Sequence, residues 1–322
     1  MAVVMTRSVW SYNLETEFEL IRRVIEFFPF ISMGTEFPGV IFQSDPTLRQ
    51  SQNNYAVMKA NVDCMHLIQV GMTLSDRHGN LPTFGTSNRF IWEFNFCKFD
   101  VMCHPHAPHS IALLRRQGMN FHKNRNFGVN ILRFAELMML SGLLCNNHIH
   151  WITFHGAYDF GYMVKVLSHR FLYTQPLLPP NLEDFLQLVK FFFGHTIYDV
   201  KHLIKFCPNL YGGLDKVSET LGFDNSARKS HHIVWLFYMF LMRLKGCIFM
   251  HKMTWKNIPV LCMVWRCYDI YSSKRLYFSY FHYFPYKWEN VQVLVTKIVS
   301  YVCILFFKPY VCCLLMILYH RM

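Results

Sequence analysis

The sequence predicts an α/β domain on a mixed sheet, spread over about the first 225 of its 322 residues. Three observations carry that expectation. Extended apolar runs come first, and helices interleaved with shorter strands follow, the order of a sheet covered by helices. Apolar residues make up 52% of the chain and charged residues 16%, so it can bury a core and is not a solvated, disordered chain. Charge also changes along the chain. Residues 1–225 hold 19 basic and 18 acidic side chains, whereas residues 226–322 hold 13 and 2. The net charge of +12 therefore sits in the last segment, and no overall nucleic-acid footprint can be read for the domain.

Leu14, Phe18, Ile21 and Ile25 recur at spacings of 4, 3 and 4, which predicts an amphipathic helix. Asn13 caps its start, Glu15, Glu17 and Glu19 favour the positive end of its dipole, and Pro29 stops it. Phe30–Met33 and Val40–Phe42 predict strands joined across Glu36, Phe37, Pro38 and Gly39. Leu67–Leu74 and Phe90–Phe96 predict two more, separated by a turn at Gly79 and Asn80. Helices are expected at Ile111–Gln117, Ile131–Ser141, Tyr158–Leu167, Leu182–Phe193 and Leu214–Leu221, with short strands at Trp151–Phe154 and Ile197–Tyr198. Cys64, Cys97, Cys103, Cys145 and Cys207 show no paired spacing. They read as small buried hydrophobes in a reducing compartment, since the N-terminal apolar run is too short for a secretory leader.

Two acids stand out. Glu36 ends a predicted strand, and Asp159 opens a helix just after another. Carboxylates at such junctions are where α/β folds place ligands for hard cations such as magnesium. Taken alone, acids at element ends are also ordinary caps and surface groups. Cys103, His104, His106 and His109 are interrupted by Pro105 and Pro108, and read as a surface loop. Phosphate-loop, Gly-x-Ser-x-Gly and dinucleotide patterns are absent from the sequence.

The surrounding segments give the acids a context. They are WSYNLETEF at Trp10–Phe18, ISMGTEFPGV at Ile31–Val40, NYAVMKANVD at Asn54–Asp63 and LIQVGMTL at Leu67–Leu74. NRFIWEFNF follows at Asn88–Phe96, LLRRQG at Leu113–Gly118, FAELM at Phe134–Met138 and WITFHGAYDFGY at Trp151–Tyr162. YDVKHL at Tyr198–Leu203 and NLYGGL at Asn209–Leu214 complete the series. In that order, over about residues 8–225, they resemble the Pop2-like deadenylases, the poly(A) ribonuclease subunits of the Ccr–Not complex, and the plant members most closely.

The resemblance implies a ribonuclease H-like fold of the DEDD exonuclease type. It implies 3′-to-5′ shortening of the mRNA poly(A) tail with a pair of Mg2+ or Mn2+ ions, which activate water and stabilise the leaving oxygen. It also implies docking on the Not scaffold beside a second deadenylase subunit, in nucleus and cytoplasm; no membrane partner is expected. The family pattern holds four carboxylates, the first two as Asp-x-Glu on one strand face, and a His as general base. Carried onto this chain, Glu36 and Asp159 match, and His231 falls on the family His. The first Asp falls on Gly34 and the fourth on Leu236. Two of the four metal carboxylates are thus missing, and activity is expected to be lost or severely impaired.

The resemblance stops abruptly near residue 232, so the division expected is a truncated ribonuclease H-like domain over 8–231 and an unrelated tail over 232–322. Lys308 and Pro309 split the last apolar stretch into runs of ten, each too short to span a bilayer. Met250, Met253, Trp255, Met263 and Trp265 have single codons and fix bases in Lys245–Cys267. Read one frame over, those codons permit a string resembling the family just past its lost Asp. The tail is therefore expected to be family coding sequence translated out of frame.

Overall fold

The computed structural model describes residues 3–43, 50–168, 177–206 and 210–220. Their strands are β1 (Val4–Val9), β2 (Phe30–Glu36), β3 (Gln69–Ser75), β4 (Arg89–Asn95), β5 (His150–Thr153) and β6 (Ile197–Asp199). They form one sheet in the order β1-β4-β3-β2-β5-β6. β3 runs antiparallel to both β2 and β4, while β1–β4, β2–β5 and β5–β6 are parallel. The expected mixed sheet is the one observed.

The helices are α1 (Leu14–Val24), α2 (Gln50–Cys64), α3 (Pro108–Arg116), α4 (Phe121–Phe127) and α5 (Ile131–Leu140). They continue with α6 (Ala157–Ser168), α7 (Leu182–Phe193), α8 (Val200–Leu203) and α9 (Leu214–Thr220). α1 buries Leu14, Phe18 and Ile21, the stripe that its spacing dictates. Phe18 meets Phe94 of β4 and Phe134 of α5, with ring centroids 5.3 and 5.8 Å apart. Phe134 also meets Phe96 at 5.0 Å, so one aromatic cluster joins α1 and α5 to the sheet. α6 packs against α2, α5, α7 and β2. Its Phe160 touches Phe193 of α7, which in turn touches Trp151 of β5, both at 5.0 Å. These contacts fix the start of α6 beside the sheet.

Several local expectations change. Val40–Phe42 is not a strand: Val40, Ile41 and Phe42 are exposed, and Asn61 of α2 holds the segment. Asn61 Oδ1 accepts from the N–H groups of Ile41 and Phe42 at 2.8 and 3.0 Å, and its Nδ2 donates to the Phe42 carbonyl. A single amide side chain thus supplies the bonds that a strand neighbour would give.

Asn13 does not cap α1 with its side chain. Its Oδ1 instead accepts from the Trp10 N–H and its Nδ2 donates to the Ser8 carbonyl, so the group closes the preceding turn. Glu17 turns inward and is 4% exposed. It accepts from Arg7 Nε and Nη2 and from Trp92 Nε1, at 2.6, 2.9 and 3.0 Å, which ties β1, α1 and β4 together. Cys64 and Cys97 are half-buried and Cys103 and Cys145 exposed, so none of these four is the buried hydrophobe expected. Cys207 lies outside the described residues, as do His231, Leu236 and the whole tail.

Candidate active site

Glu36 is the last residue of β2. The alternation of a strand puts Gly34 and Glu36 on one face of the sheet. Across the sheet, Gly34 lies opposite Gly71, and Gly71 opposite Glu93. Glu36 lies opposite Gln69, and Gln69 opposite Asn95. That face therefore carries two carboxylates and two amides around a pair of glycines. Gln69 Nε2 donates to both Glu93 Oε1 and Asn95 Oδ1, the latter at 2.6 Å.

Asp159 comes from the first turn of α6. Its Oδ1 accepts from the Thr35 N–H at 2.8 Å and from the Thr35 hydroxyl at 2.6 Å. The residues on either side reinforce the contact: Phe37 stacks on Tyr158 at 5.2 Å and meets Tyr162 at 5.0 Å. Thr35, the neighbour of Glu36, thus ties β2 to the first turn of α6, and the charge of Asp159 acts on Glu36 across that junction.

Asp199 fixes where α6 begins, and sequence reasoning gave it no role. It ends β6, is 1% exposed, and accepts from three backbone N–H groups. Oδ1 takes those of His155 and His202 at 3.0 and 3.2 Å, and Oδ2 takes that of Gly156 at 2.8 Å. The turn it clamps is tight. His155 has φ of 62°, and a Cβ at Gly156 would lie 2.3 Å from Thr153 Oγ1. The available signal was the Tyr-Asp-Val order of Tyr198–Val200, an acid just before a helix start.

Burial dominates the electrostatics. It pushes the Glu36 carboxyl up to about 7, with the charges of Asp159 and then Glu93 adding to the effect. It pushes Asp159 up to about 7 as well, against the two Thr35 bonds, which favour the carboxylate. Glu93 is also raised to about 7 by burial, opposed by its bonds to Asn95 and Gln69 and by the charge of Lys123. Asp199 is raised by burial too, against its backbone donors.

Acids with such shifts that act on one another are a candidate site for proton or cation chemistry. Its donor set is short. No group of three or more His, Cys, Asp or Glu among the described residues is arranged to hold a metal ion. Gly34 offers no ligand on the β2 face that carries Glu36, and one oxygen of Asp159 is engaged with Thr35. The described residues do not fit a pair of divalent ions.

Residues 9–143 match the profile described as CAF1 family ribonuclease. Probable CCR4-associated factor 1 homolog 10 of Arabidopsis thaliana is 47% identical over 222 residues, covering 69% of this chain and 78% of that protein. Poly(A) ribonuclease pop2 of Schizosaccharomyces pombe is 38% identical over 216 residues, covering 67% of this chain and 61% of that one. Among solved structures, S. pombe Pop2p in its Mg2+- and Mn2+-bound form gives a TM-score of 0.70 at 33% identity, covering 78% of this chain and 96% of that one. A chain in the structure of yeast NOT1 MIF4G domain co-crystallized with CAF1 gives 0.62 at 31% identity, covering 77% of this chain and 90% of that one.

Proposed function

The chain belongs to the CAF1 family of ribonucleases, and from that premise we propose that it is a Ccr–Not deadenylase-type protein whose own 3′-to-5′ poly(A) exonuclease activity is lost or severely impaired. The observation that carries this is the state of β2. Glu36 is in place and Thr35 holds Asp159 beside it, yet the residue two positions before Glu36 on the same face is a glycine. Leu236, on the position of the family's fourth acid, adds a second gap in the sequence. When bound, a pair of Mg2+ or Mn2+ ions supplies an activated water and charge stabilisation to phosphodiester cleavage. Support for such ions in the family comes from the Pop2p relative in its Mg2+- and Mn2+-bound form.

What remains here can do less. Glu36 and Asp159 supply two acids, both raised towards neutrality, and together they neutralise less charge than two dications bring. His231, carried over as the general base, is assigned by sequence position alone. Purified chain incubated with Mg2+ or Mn2+ and end-labelled RNA bearing a 3′ poly(A) tail tests the proposal. Unshortened RNA is the expected result, and a ladder of trimmed products would overturn it.

A second reading is a non-catalytic subunit that docks on the Not scaffold. The likeness to the chain co-crystallized with NOT1 favours it, because docking needs the folded surface and not the missing acids. Pull-down with a Not1 scaffold fragment tests this, and failure of folded protein to bind would sink it. A second deadenylase subunit as partner and residence in nucleus and cytoplasm belong to the same proposal, as does the division at residue 231. Sequencing the transcript across codons 225–270 decides whether the tail is an out-of-frame product.

A further inference from the structure

The sheet ends differently on its two sides. β6 is three residues long and runs straight into α8, so that edge presents little free backbone. β1 is six residues long, and β4 is its neighbour on one side. Among the described residues no strand pairs with its other edge. Which groups face out follows from the register. Val4 lies opposite Arg89, and the Arg89 N–H donates to the Val3 carbonyl at 2.9 Å. In a parallel ladder, alternate residues turn both N–H and C=O to the same neighbour. Val3, Met5 and Arg7 therefore bond to β4, whereas Val4, Thr6 and Ser8 turn their backbone groups outward. In keeping with this, the Ser8 carbonyl accepts from the Asn13 side chain at 3.2 Å.

Nothing in β1 blunts this edge. Val4–Val9 holds no proline and no lysine, and no bulge interrupts its register with β4. Its one charged side chain, Arg7, is bound through Nε and Nη2 to Glu17, so the edge carries no uncompensated charge. Met5 is 45% exposed and Val3 61% exposed, which sets apolar side chains beside the open backbone.

An antiparallel copy of β1 matches these features. With Thr6 on a two-fold axis, Thr6 of one copy faces Thr6 of the other, and Val4 faces Ser8. Each of these pairs joins residues whose backbone groups point outward. Thr6 then exchanges N–H and C=O bonds with its mate, and the Ser8 N–H meets a Val4 carbonyl. Met5 falls opposite Arg7, so like charges are not opposed, and the thioether lies on the stem of a guanidinium that Glu17 already neutralises. An acidic or basic peptide would find no free charge to pair with on this edge.

We infer that this edge pairs with a second copy of the chain, joining two sheets into one across a β1–β1 seam. A six-residue edge covers well under the roughly 800 Å2 per partner of a standard interface, so the dimer is weak and forms at about 10–100 μM. It needs no metal and no catalysis, so its failure and the failure of the proposed function are distinguishable.

The test is sedimentation velocity of the full chain from about 1 to about 200 μM, where a reversible dimer should grow in with concentration. Thr6→Lys sets two ammonium groups on the axis and should weaken the dimer about tenfold or more, with part of the loss recovered at high salt. Thr6→Pro should weaken it as much and leave the monomer folded by circular dichroism, since the N–H it removes faces away from β4. Cross-linking with oxidised glutathione reads the register. Thr6→Cys should give a disulfide joining position 6 of two copies, because facing residues of a hydrogen-bonded pair lie about 5.5 Å apart at Cα. Val4→Cys and Ser8→Cys should stay at the wild-type level, because each faces the other position. If Thr6→Pro perturbs the fold, Thr6→Lys and the cross-linking still decide. A chain monomeric at the highest concentration would overturn the inference, as would association indifferent to Thr6→Lys. Cross-linking at position 4 or 8 equal to that at position 6 would overturn it too.

Discussion

Thr35 donates both its backbone N–H and its hydroxyl to the same oxygen of Asp159, at 2.8 and 2.6 Å. One residue of β2 thereby decides where the acid of α6 stands relative to Glu36. Replacing Thr35 with Val keeps the shape and the backbone bond but removes the hydroxyl. Loss of stability of about 1 kcal/mol is expected by urea denaturation. The Asp159 carboxyl should also titrate higher in a pH series followed by NMR, because that hydroxyl bond holds it down.

Asp199 should matter more for stability than its place outside the acid pair suggests. Asp199→Ala leaves the N–H groups of His155, Gly156 and His202 without their acceptor, and Gly156 and His202 are buried. A cost of about 2–4 kcal/mol is expected from thermal and urea unfolding. Asn at that position keeps part of the acceptor capacity and should cost less.

The raised acids make stability depend on pH in a stated direction. Glu36 and Glu93 move from 4.5 to about 7 and Asp159 from 3.8 to about 7, so the folded state keeps protons that the unfolded state has released. Their contribution is fully present below the unfolded values and disappears as pH rises through about 7. Melting temperature should therefore fall between pH 5 and pH 8. Glu36→Gln combined with Asp159→Asn should flatten that fall, and an unaltered profile in the double variant would contradict the assignment.

Returning an acid to position 34 probes the gap in β2 directly. Gly34→Asp places a carboxylate on the same face as Glu36, where the like charge should raise Glu36 further. RNA trimming should stay absent in this single variant, since Leu236 still stands where the family has its fourth acid. Recovery of trimming would refute the role given to Leu236.

Much of the fold was legible because its apolar patterning is strong. Phe30–Met33 and Leu67–Leu74 mark central strands, and the Leu14–Ile25 stripe marks α1. What escaped was written in polar residues. β1 carries Thr6, Arg7 and Ser8 and pairs with β4 alone, so it lacks the apolar run of a central strand. α2 begins Gln-Ser-Gln-Asn-Asn and buries few large side chains, among them Tyr55, Met58 and Val62. α4 is seven residues long and rests on a local signal, the Asn120 side chain accepting from the Lys123 N–H. Val40–Phe42 failed the other way, since β-branched and aromatic residues imitate a strand wherever a side chain such as Asn61 satisfies their backbone.

The site divides along the same line. Glu36 and Asp159 were legible as acids at element ends, and the family resemblance supplied their pairing. Thr35 and Asp199 were not, because each acts through bonds between segments far apart in the chain. Periodicity and spacing report local structure and carry no information on which loop meets which strand.

The central claim is that the carboxylate set is too small to hold two divalent ions. Titration of the full chain with Mn2+, followed by calorimetry and by the electron paramagnetic resonance of free Mn2+, measures that most directly. At most one weakly held ion per chain is expected, with its affinity reduced in Glu36→Gln. Two tightly bound ions per chain, both lost in Glu36→Gln, would contradict the account.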